Sequence, residues 1–260
     1  MITAGIDVGN KNTRALILKD GEVLARSLVP SGFDQKKAAR DVFDATLKRA
    51  GISEADVDYT MATGTGQEKV TFAHGRVTEV SSAARGAVKI FPGARTVIDV
   101  GAEEGRAIKT DEKGKVMDFA INEKCAAGTG SFVESMSRAL EVTLEEMGPL
   151  SLNGENSVPM NAQCAVFAES EVISLIHSRI PKEDIAKSIH EAMASRISSM
   201  VRRVGIQKDV VMLGGVAYNK GFVEALEEDL ELKLLIPEDY PEYISAFGAA
   251  LVAVDKAGSK

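Results

Sequence analysis

The stretch ITAGIDVG, residues 2–9, is an apolar run that ends in an Asp-Val-Gly turn. The same four residues, IDVG, return at positions 98–101, about ninety residues further along the chain. Each copy is followed by a second strand pattern, a turn and a third strand pattern, and the second copy extends over residues 95–122. This repeat predicts two lobes of one design that face each other across a cleft.

The rest of the chain alternates short apolar runs with amphipathic stretches, which is typical of an α/β protein. The break at Pro92-Gly93 separates an N-terminal lobe, residues 1–93, from a second lobe, residues 94–242. A C-terminal alanine-rich helix within residues 243–260 is expected to complete the first lobe. Further helices are predicted at residues 36–50, 80–90, 131–140, 167–178, 184–203 and 222–230.

The composition excludes several classes of protein. The chain has 260 residues and a formal net charge of −7 without a basic block, which argues against nucleic acid as a partner. Its apolar runs fall short of the roughly eighteen residues that a membrane span needs. A strand pattern begins at residue 2 and leaves no room for a signal peptide, so we expect a cytoplasmic location. The two cysteines are not expected to form a structural disulfide there.

The two Asp-Val-Gly turns are candidate phosphate loops. Asp7 and Asp99 each end a buried strand, where a bare carboxylate is costly unless a cation or hydrogen-bond donors meet it. Glycines at the turns let backbone N–H groups approach phosphate oxygens closely. We therefore expect the aspartates to act on Mg²⁺ through coordinated water, and the phosphates to lie on Gly9, Asn10, Lys11, Gly101 and Ala102. The alternative is that each Asp-Val-Gly only makes a tight turn.

A third motif, VVMLGGVAYN, places Gly214 and Gly215 directly after an apolar strand pattern and ends at Asn219. Bare backbone of this kind suits a flat base or a ribose. Two IDVG loops and this motif, in this order, resemble the superfamily of sugar kinases, heat-shock ATPases and actin over nearly the whole chain. The resemblance implies a two-lobed actin-like ATPase (ribonuclease H-like) fold that binds ATP or ADP in the cleft between its lobes.

The two cysteines share a setting, in NEKCAAGTGSF (residues 122–132) and NAQCAVFAES (residues 161–170). Each precedes a helix pattern, and a helix N-terminus favours the thiolate form that ligates metals. The alternative is a pair of buried thiols that serve as small hydrophobes. A zinc site is disfavoured because the three histidines lack suitable spacing. A [4Fe–4S] cluster needs four thiolates, so two cysteines in each chain would require two chains.

The longer motifs NEKCAAGTGSF, CAVFAESEVISL, RRVGIQKDVVMLGGVAYN and SAFGAALVA resemble the ATP-hydrolysing activator components of 2-hydroxyacyl-CoA dehydratases and benzoyl-CoA reductases. The resemblance implies that Cys125 and Cys164 ligate one [4Fe–4S] cluster that bridges two subunits. The second subunit would be a sister subunit of the same family or a second copy of this chain. The further partners that the resemblance implies are catalytic reductase or dehydratase subunits and a ferredoxin-like electron donor.

The second phosphate loop departs from the pattern of the dehydratase activators. They typically read Asp-Ile-Gly-Gly-Gln-Asp, whereas this chain places Glu103 and Glu104 after Ala102. Glu103 is the candidate catalytic residue at this position. DVGAEEGR looks more similar to the delta-type subunit of benzoyl-CoA reductase, so an ATP-hydrolysing subunit of that enzyme is the predicted function. The alternatives are a homodimeric activator of a 2-hydroxyacyl-CoA dehydratase, a small-molecule kinase of the amino-sugar type, and a nucleotide-binding regulator with a redox-sensing thiol pair.

Overall fold

The computed structural model describes residues 1–122, 129–160 and 164–258. The chain divides into two compact units. Unit 1 comprises Met1–Arg95, Thr110–Met117 and Glu242–Lys260, and unit 2 comprises Thr96–Lys109 and Asp118–Pro241. The predicted α/β class with two lobes is confirmed. Segment Thr110–Met117 lies in the stretch assigned to the second lobe from the sequence, and in the structure it groups with unit 1.

Apart from one two-residue strand and one short helix, the strands and helices follow one another in the order that the sequence pattern indicates. The strands are β1 (Ile2–Val8), β2 (Asn12–Lys19), β3 (Glu22–Pro30), β4 (Tyr59–Thr63), β5 (Gly75–Arg76), β6 (Thr96–Val100), β7 (Gly105–Thr110), β8 (Val116–Asn122) and β9 (Val210–Leu213). The helices are α1 (Gln35–Ala50), α2 (Glu79–Ile90), α3 (Gly130–Ala139), α4 (Leu144–Leu152), α5 (Ala165–His177), α6 (Lys182–Val204), α7 (Lys220–Leu230) and α8 (Ile244–Ala257).

The sheet of unit 1 has the order β3–β2–β1–β4–β5. β1 and β2 pair antiparallel, as do β2 and β3, whereas β4 lies parallel to β1 on its other side. The sheet is therefore mixed, and the register places Arg14 of β2 directly opposite Asp7 of β1. β1 is buried from Thr3 onward because helices cover both faces of the sheet.

α1 and α8 cover the sheet of unit 1, and each is fitted to it by a specific local feature. α1 begins where the Asp34 carboxylate accepts the N–H of Lys37 at 2.9 Å, and it ends at Gly51, whose φ is 70°. α8 lies so close to β1 that a Cβ on Gly5 would stand 1.9 Å from the carbonyl oxygen of Ala246. Glycine and alanine at these positions allow the backbones to touch.

The sheet of unit 2 has the order β8–β7–β6–β9. β6 pairs antiparallel with β7 and parallel with β9, so β6 occupies the place that β1 has in unit 1. Arg106 of β7 lies directly opposite Asp99 of β6. The repeat read from IDVG is thus a repeat of strand order and register as well as of sequence.

The helices of unit 2 pack around one large apolar core. α6 contacts α4, α5 and α7, and its core face includes Ile189, Met193 and Ile197, each at most 1% exposed. Phe132 of α3 and Phe222 of α7 are fully buried in the same core. In the part of the chain that the structure describes, no helix is both long enough and apolar enough to cross a bilayer.

α4 is the helix that the sequence pattern did not predict. It contains Gly148 and Pro149, which are poor helix formers, and it spans only nine residues. Its start was nevertheless marked, because Thr143 and Glu146 form a reciprocal capping box. Glu146 accepts the backbone N–H of Thr143 at 2.7 Å, and this contact lowers the pKa of its carboxyl group.

Candidate functional site

The first phosphate loop, residues 9–12, connects β1 to β2. It closes by a hydrogen bond from the N–H of Gly9 to the carbonyl oxygen of Asn12 at 3.1 Å. The buried hydroxyl of Ser31 donates to the carbonyl oxygen of Gly9 at 2.6 Å, and the N–H of Ser31 donates to the carbonyl oxygen of Lys11 at 3.0 Å. Asn10 accepts the hydroxyl of Thr65 at 2.8 Å. The loop is therefore held from two sides, with Lys11 exposed.

Asp7, at the base of this loop, is 8% exposed. Its carboxylate lies 3.7 Å from the guanidinium of Arg14 on the neighbouring strand. Gly64, with a φ of 92°, approaches from β4, and a Cβ there would stand 2.6 Å from the Asp7 carboxylate and 2.5 Å from the carbonyl oxygen of Val8. Only a glycine fits this left-handed, crowded position, so the ATGTG loop at residues 62–66 belongs to the surroundings of Asp7.

Asp99 has the same surroundings in unit 2. It is 6% exposed, and its carboxylate lies 3.1 Å from Nη1 of Arg106, which is equally buried. Gly214, with a φ of 87°, approaches from β9, and a Cβ there would stand 2.8 Å from the Asp99 carboxylate and 2.3 Å from the carbonyl oxygen of Val100. Each unit therefore presents an aspartate, an arginine across the ladder and a left-handed glycine from the adjoining parallel strand.

The second phosphate loop, residues 101–104, closes by a hydrogen bond from the N–H of Gly101 to the carbonyl oxygen of Glu104 at 2.9 Å. Its carbonyl groups meet the start of α3. The N–H of Gly130 donates to Gly101 at 2.9 Å, and the N–H of Ser131 donates to Ala102 at 2.8 Å. The loop is therefore attached to the helix that directly follows the NEKCAAGTGSF motif.

The two glutamates of this loop have different roles in the structure. Glu104 forms an ion pair with Nη2 of Arg106, so Arg106 bridges it to Asp99. Glu103 is exposed beside it. Of the two, Glu103 is the one whose side chain is exposed to solvent, and its catalytic role stays a prediction.

The two glycines of the third motif have different surroundings. Gly214 is buried against Asp99, whereas Gly215 is exposed and has no atom within 4 Å of the position of a Cβ. Gly215 begins a short 3₁₀ turn that ends at Tyr218. This turn, residues 214–219, is called the nucleoside turn below, after the role that the sequence predicts for it. It presents bare backbone at Gly215, as the sequence pattern predicted.

Asn219 ends the nucleoside turn and caps α7. Its Oδ1 accepts the N–H of Phe222 at 3.1 Å, and its Nδ2 lies 2.9 Å from Nε2 of His190. His190 is 1% exposed, and burial lowers its pKa to about 4. The side chain of Asn219 is therefore hydrogen-bonded within unit 2. Any contact with a nucleotide would use its backbone or the hydrogen-bonding capacity that remains on its side-chain amide.

The cysteine motifs are described only in part. Cys125 lies outside the described residues. Cys164 is a free thiol of intermediate exposure at the N-cap of α5, and its side chain accepts no capping hydrogen bond. The following Val166 and Phe167 are 69% and 70% exposed. Within residues 1–122, 129–160 and 164–258, no group of three or more potential ligand side chains could hold a metal ion.

Cys164 is therefore a partly exposed thiol at the start of α5, next to exposed apolar residues. The exposed apolar residues beside Cys164 suit contact with another protein. The ligand roles of Cys125 and Cys164 stay predictions.

Three residues of the site escaped the sequence analysis: Arg14, Arg106 and His190. The two arginines had a signal, because Arg-Ala follows IDVG at the same spacing in both copies, at residues 14–15 and 106–107. His190 had none, since a single histidine within a long helix pattern is as consistent with an exposed position as with a buried one.

Comparison with known proteins extends these observations. The model of the BadF/BadG/BcrA/BcrD ATPase family matches residues 4–253. The activator of lactoyl-CoA dehydratase from Anaerotignum propionicum is 40% identical, over 100% of both chains. One subunit of the benzoyl-CoA reductase from Thauera aromatica is 35% identical, over 96% of this chain and 92% of its own.

Among solved structures, the activator of 2-hydroxyisocaproyl-CoA dehydratase from Clostridium difficile with bound ADPNP superposes with a TM-score of 0.93. The two are 38% identical, over 100% of this chain and 96% of that one. The predicted actin-like ATPase fold is thereby confirmed. The dehydratase activators are more similar in sequence than the reductase subunit, which favours the first of the alternative functions over benzoyl-CoA reductase.

Proposed function

Because the chain belongs to the BadF/BadG/BcrA/BcrD ATPase family, we propose that it is the ATP-hydrolysing activator of a 2-hydroxyacyl-CoA dehydratase. ATP hydrolysis is the activity of the family, and the relative with ADPNP bound supports binding of ATP and ADP here. The activator would deliver low-potential electrons to the catalytic subunits of the dehydratase. This corrects the preference for benzoyl-CoA reductase that the second phosphate loop suggested.

The nucleotide is held, in this proposal, by the two equivalent loops. Backbone N–H groups of Asn10 and Lys11 in unit 1, and of Ala102 in unit 2, bind its phosphates, while Gly9 and Gly101 close the loops and leave room for the phosphates to approach. Asp7 and Asp99 are the residues that would hold Mg²⁺, through coordinated water. The nucleoside lies on the bare backbone of Gly214 and Gly215, next to Asn219.

Two arginines prepare the aspartates for this task. Arg106 fixes the carboxylate of Asp99 from within the sheet, and Arg14 does the same for Asp7 at a longer distance. A guanidinium beside a buried carboxylate fixes its position and orientation, and carboxylate oxygens are the ligands that Mg²⁺ prefers. Glu103, exposed at the second loop, is the group proposed to orient the attacking water.

The single observation that carries the proposal is the attachment of α3 to the second phosphate loop. The N–H groups of Gly130 and Ser131 bind the carbonyl oxygens of Gly101 and Ala102. A change in the loop on ATP hydrolysis would therefore act on the start of α3, which follows Cys125 by five residues in the sequence.

Cys125 and Cys164 would hold half of a [4Fe–4S] cluster, with the other half supplied by a second copy of this chain or a sister subunit. When bound, the cluster supplies a one-electron carrier whose potential depends on hydrogen bonds, net charge and exposure. The N-terminus of α5 places N–H groups and the positive end of its dipole beside Cys164. A ferredoxin-like protein is the proposed electron donor.

Reconstitution with catalytic subunits tests the function. The chain is purified anaerobically and mixed with the catalytic subunits of a 2-hydroxyacyl-CoA dehydratase, with ATP and a reductant. We expect ATP-dependent dehydration of the 2-hydroxyacyl-CoA and release of inorganic phosphate. The proposal would be contradicted if the chain activated the catalytic subunits of benzoyl-CoA reductase but not those of the dehydratase. Stoichiometric phosphorylation of a sugar or carboxylic acid would also contradict it.

A further inference from the structure

A buried chain of hydrogen bonds links the nucleoside turn to the interior of unit 2. Oδ1 of Asn219 accepts the N–H of Phe222, so its Nδ2 must be the group that donates to Nε2 of His190 at 2.9 Å. Nε2 is then unprotonated, and Nδ1 carries the ring proton. Nδ1 donates to the hydroxyl of Ser151 at 2.8 Å, which donates in turn to the carbonyl oxygen of Gly148 at 2.9 Å.

Close packing makes this junction rigid. A Cβ on Gly221 would stand 2.0 Å from the hydroxyl oxygen of Ser151, and 2.9 Å from both Nδ1 of His190 and the carbonyl oxygen of Gly148. α4, α6 and α7 therefore meet at van der Waals distance around the imidazole. Packed interiors of this density move as bodies, because side chains have no space in which to absorb a displacement.

The same helix α6 also holds the chain that leads to Cys164. This segment, residues 154–158, is called the strap below. Oδ1 of Asp184 accepts the N–H groups of Glu155 at 2.9 Å and of Asn156 at 3.0 Å, and Oδ2 accepts the side-chain amide of Asn156 at 3.0 Å. These hydrogen bonds lower the pKa of the Asp184 carboxyl group, and the one from the backbone N–H of Asn156 contributes most.

Two further residues of α6 hold the end of the strap. The hydroxyl of Ser188 accepts the N–H of Val158 at 2.7 Å, and Glu191 accepts the hydroxyl of Ser157. Residues 184, 188 and 191 share one face of the helix, since they follow its i, i+4, i+7 spacing. Cys164 lies six residues beyond Val158. His190 lies between Ser188 and Glu191 in the sequence but on another face of α6, so a shift of the imidazole reaches the strap through the helix as a body.

We propose that α6 transmits the nucleotide state of the nucleoside turn to Cys164, with His190 as the positioning residue at one end and Ser188 at the other. A shift of the turn moves Asn219, the buried imidazole carries the shift to α6, and the strap passes it to the segment before Cys164. This deepens the proposed function and rests on it. The link is separate from the one between the second phosphate loop and α3, and it serves the other cysteine.

Alkylation of Cys164 measures this coupling without a cluster. In the full-length chain with Cys125→Ser, Cys164 is the only thiol, since the sequence has two cysteines. Its rate of reaction with iodoacetamide is measured with ADP and with ADPNP, and binding of each nucleotide is measured by calorimetry. We expect the two rates to differ by about fivefold or more, which is the lower range of allosteric coupling.

Ser188→Ala and His190→Gln should each reduce the ratio of these rates to less than about twofold. Ser199→Ala is the matched control, because Ser199 also lies on α6 and, in the described part of the chain, its hydroxyl bonds the carbonyl oxygen of Ser195 within the same helix. It should keep the ratio of the parent chain. Circular dichroism shows whether each variant is folded, and Ser188→Ala tests the link even where His190→Gln fails to fold.

A ratio that stays unchanged in a folded Ser188→Ala variant would overturn the inference. So would equal alkylation rates in the parent chain when calorimetry shows that both nucleotides bind, and in that case the proposed ATPase function would stand. Absence of nucleotide binding in the parent chain would instead overturn the proposed function together with the inference.

Discussion

Arg106 lies directly across the ladder from Asp99, with Nη1 3.1 Å from the carboxylate, and both side chains are buried. Arg14 takes the same register opposite Asp7 in the other unit. The duplication therefore preserves a charged pair under each phosphate loop. A buried pair is retained at some cost in desolvation, which points to a role beyond stability.

Removal of the arginine tests that role. Arg106→Met leaves Asp99 and Glu104 without their cation in a buried position, so we expect a loss of about 3 kcal/mol in the free energy of unfolding and strongly reduced ATP hydrolysis. Arg202→Met is the control, because Arg202 is 51% exposed in its ion pair with Asp229. Its loss should stay below about 1 kcal/mol in urea unfolding. Equal losses in the two variants would contradict the account.

The aspartates have a sharper test in the dependence of nucleotide binding on magnesium. Asp7→Asn and Asp99→Asn keep the shape of the side chain and remove its charge. The parent chain should bind ADP at least about tenfold more tightly with Mg²⁺ than with EDTA, a difference of ~1.4 kcal/mol. Each variant should lose most of that difference in calorimetry. A full magnesium effect in both variants would show that neither aspartate serves the ion.

The two glycines of the nucleoside turn should respond differently to alanine. Gly215→Ala adds a methyl group where no atom lies within 4 Å, so unfolding should change by less than about 0.5 kcal/mol. ADP should nevertheless bind about tenfold more weakly, because the methyl group stands where the nucleoside meets bare backbone. Gly214→Ala meets the carbonyl oxygen of Val100 at 2.3 Å and has a φ of 87°, so it should destabilise the fold itself. Unchanged ADP affinity in Gly215→Ala would remove this residue from the site.

His190 should make stability depend on pH in a defined range. Burial lowers its pKa from 6.5 to about 4. Between pH 6.5 and pH 4, the histidine is therefore protonated in the unfolded chain and neutral in the folded chain. Stability is therefore fully present above pH 6.5 and falls as the pH decreases toward 4, by about 3 kcal/mol. His190→Gln should show a shallower decrease in urea unfolding over this range. Parallel pH profiles would mean that the histidine is protonated in the fold.

The fold and the site could be predicted where they depend on a local sequence pattern, and not where they depend on contacts between distant segments. IDVG and Gly214-Gly215 are local patterns, and the strands and turns that they predicted are present. The pairing of Arg106 with Asp99 depends on strand register, which the hydrophobic pattern alone does not fix. The equivalence of Gly64 and Gly214 could not be predicted for the same reason. It follows from the parallel pairing of β4 with β1 and of β9 with β6.

The buried junction at His190 is harder still to predict. It depends on the meeting of α4, α6 and α7, and α4 was missed because glycine and proline interrupt its pattern. The choice between relatives was also beyond a single loop. Glu103 and Glu104 favoured the reductase subunit, whereas similarity over the whole chain favours the dehydratase activators.

Iron content per dimer tests the central claim most directly. The chain is purified anaerobically, alone and with a co-expressed sister subunit, and iron, sulfide and the mass of the complex are measured. The account predicts about four irons and four sulfides per dimer, as in one [4Fe–4S] cluster, and their loss in Cys125→Ala and in Cys164→Ala while ADP binding persists. A folded, ADP-binding chain without iron in either preparation, or with iron that survives both substitutions, would contradict it.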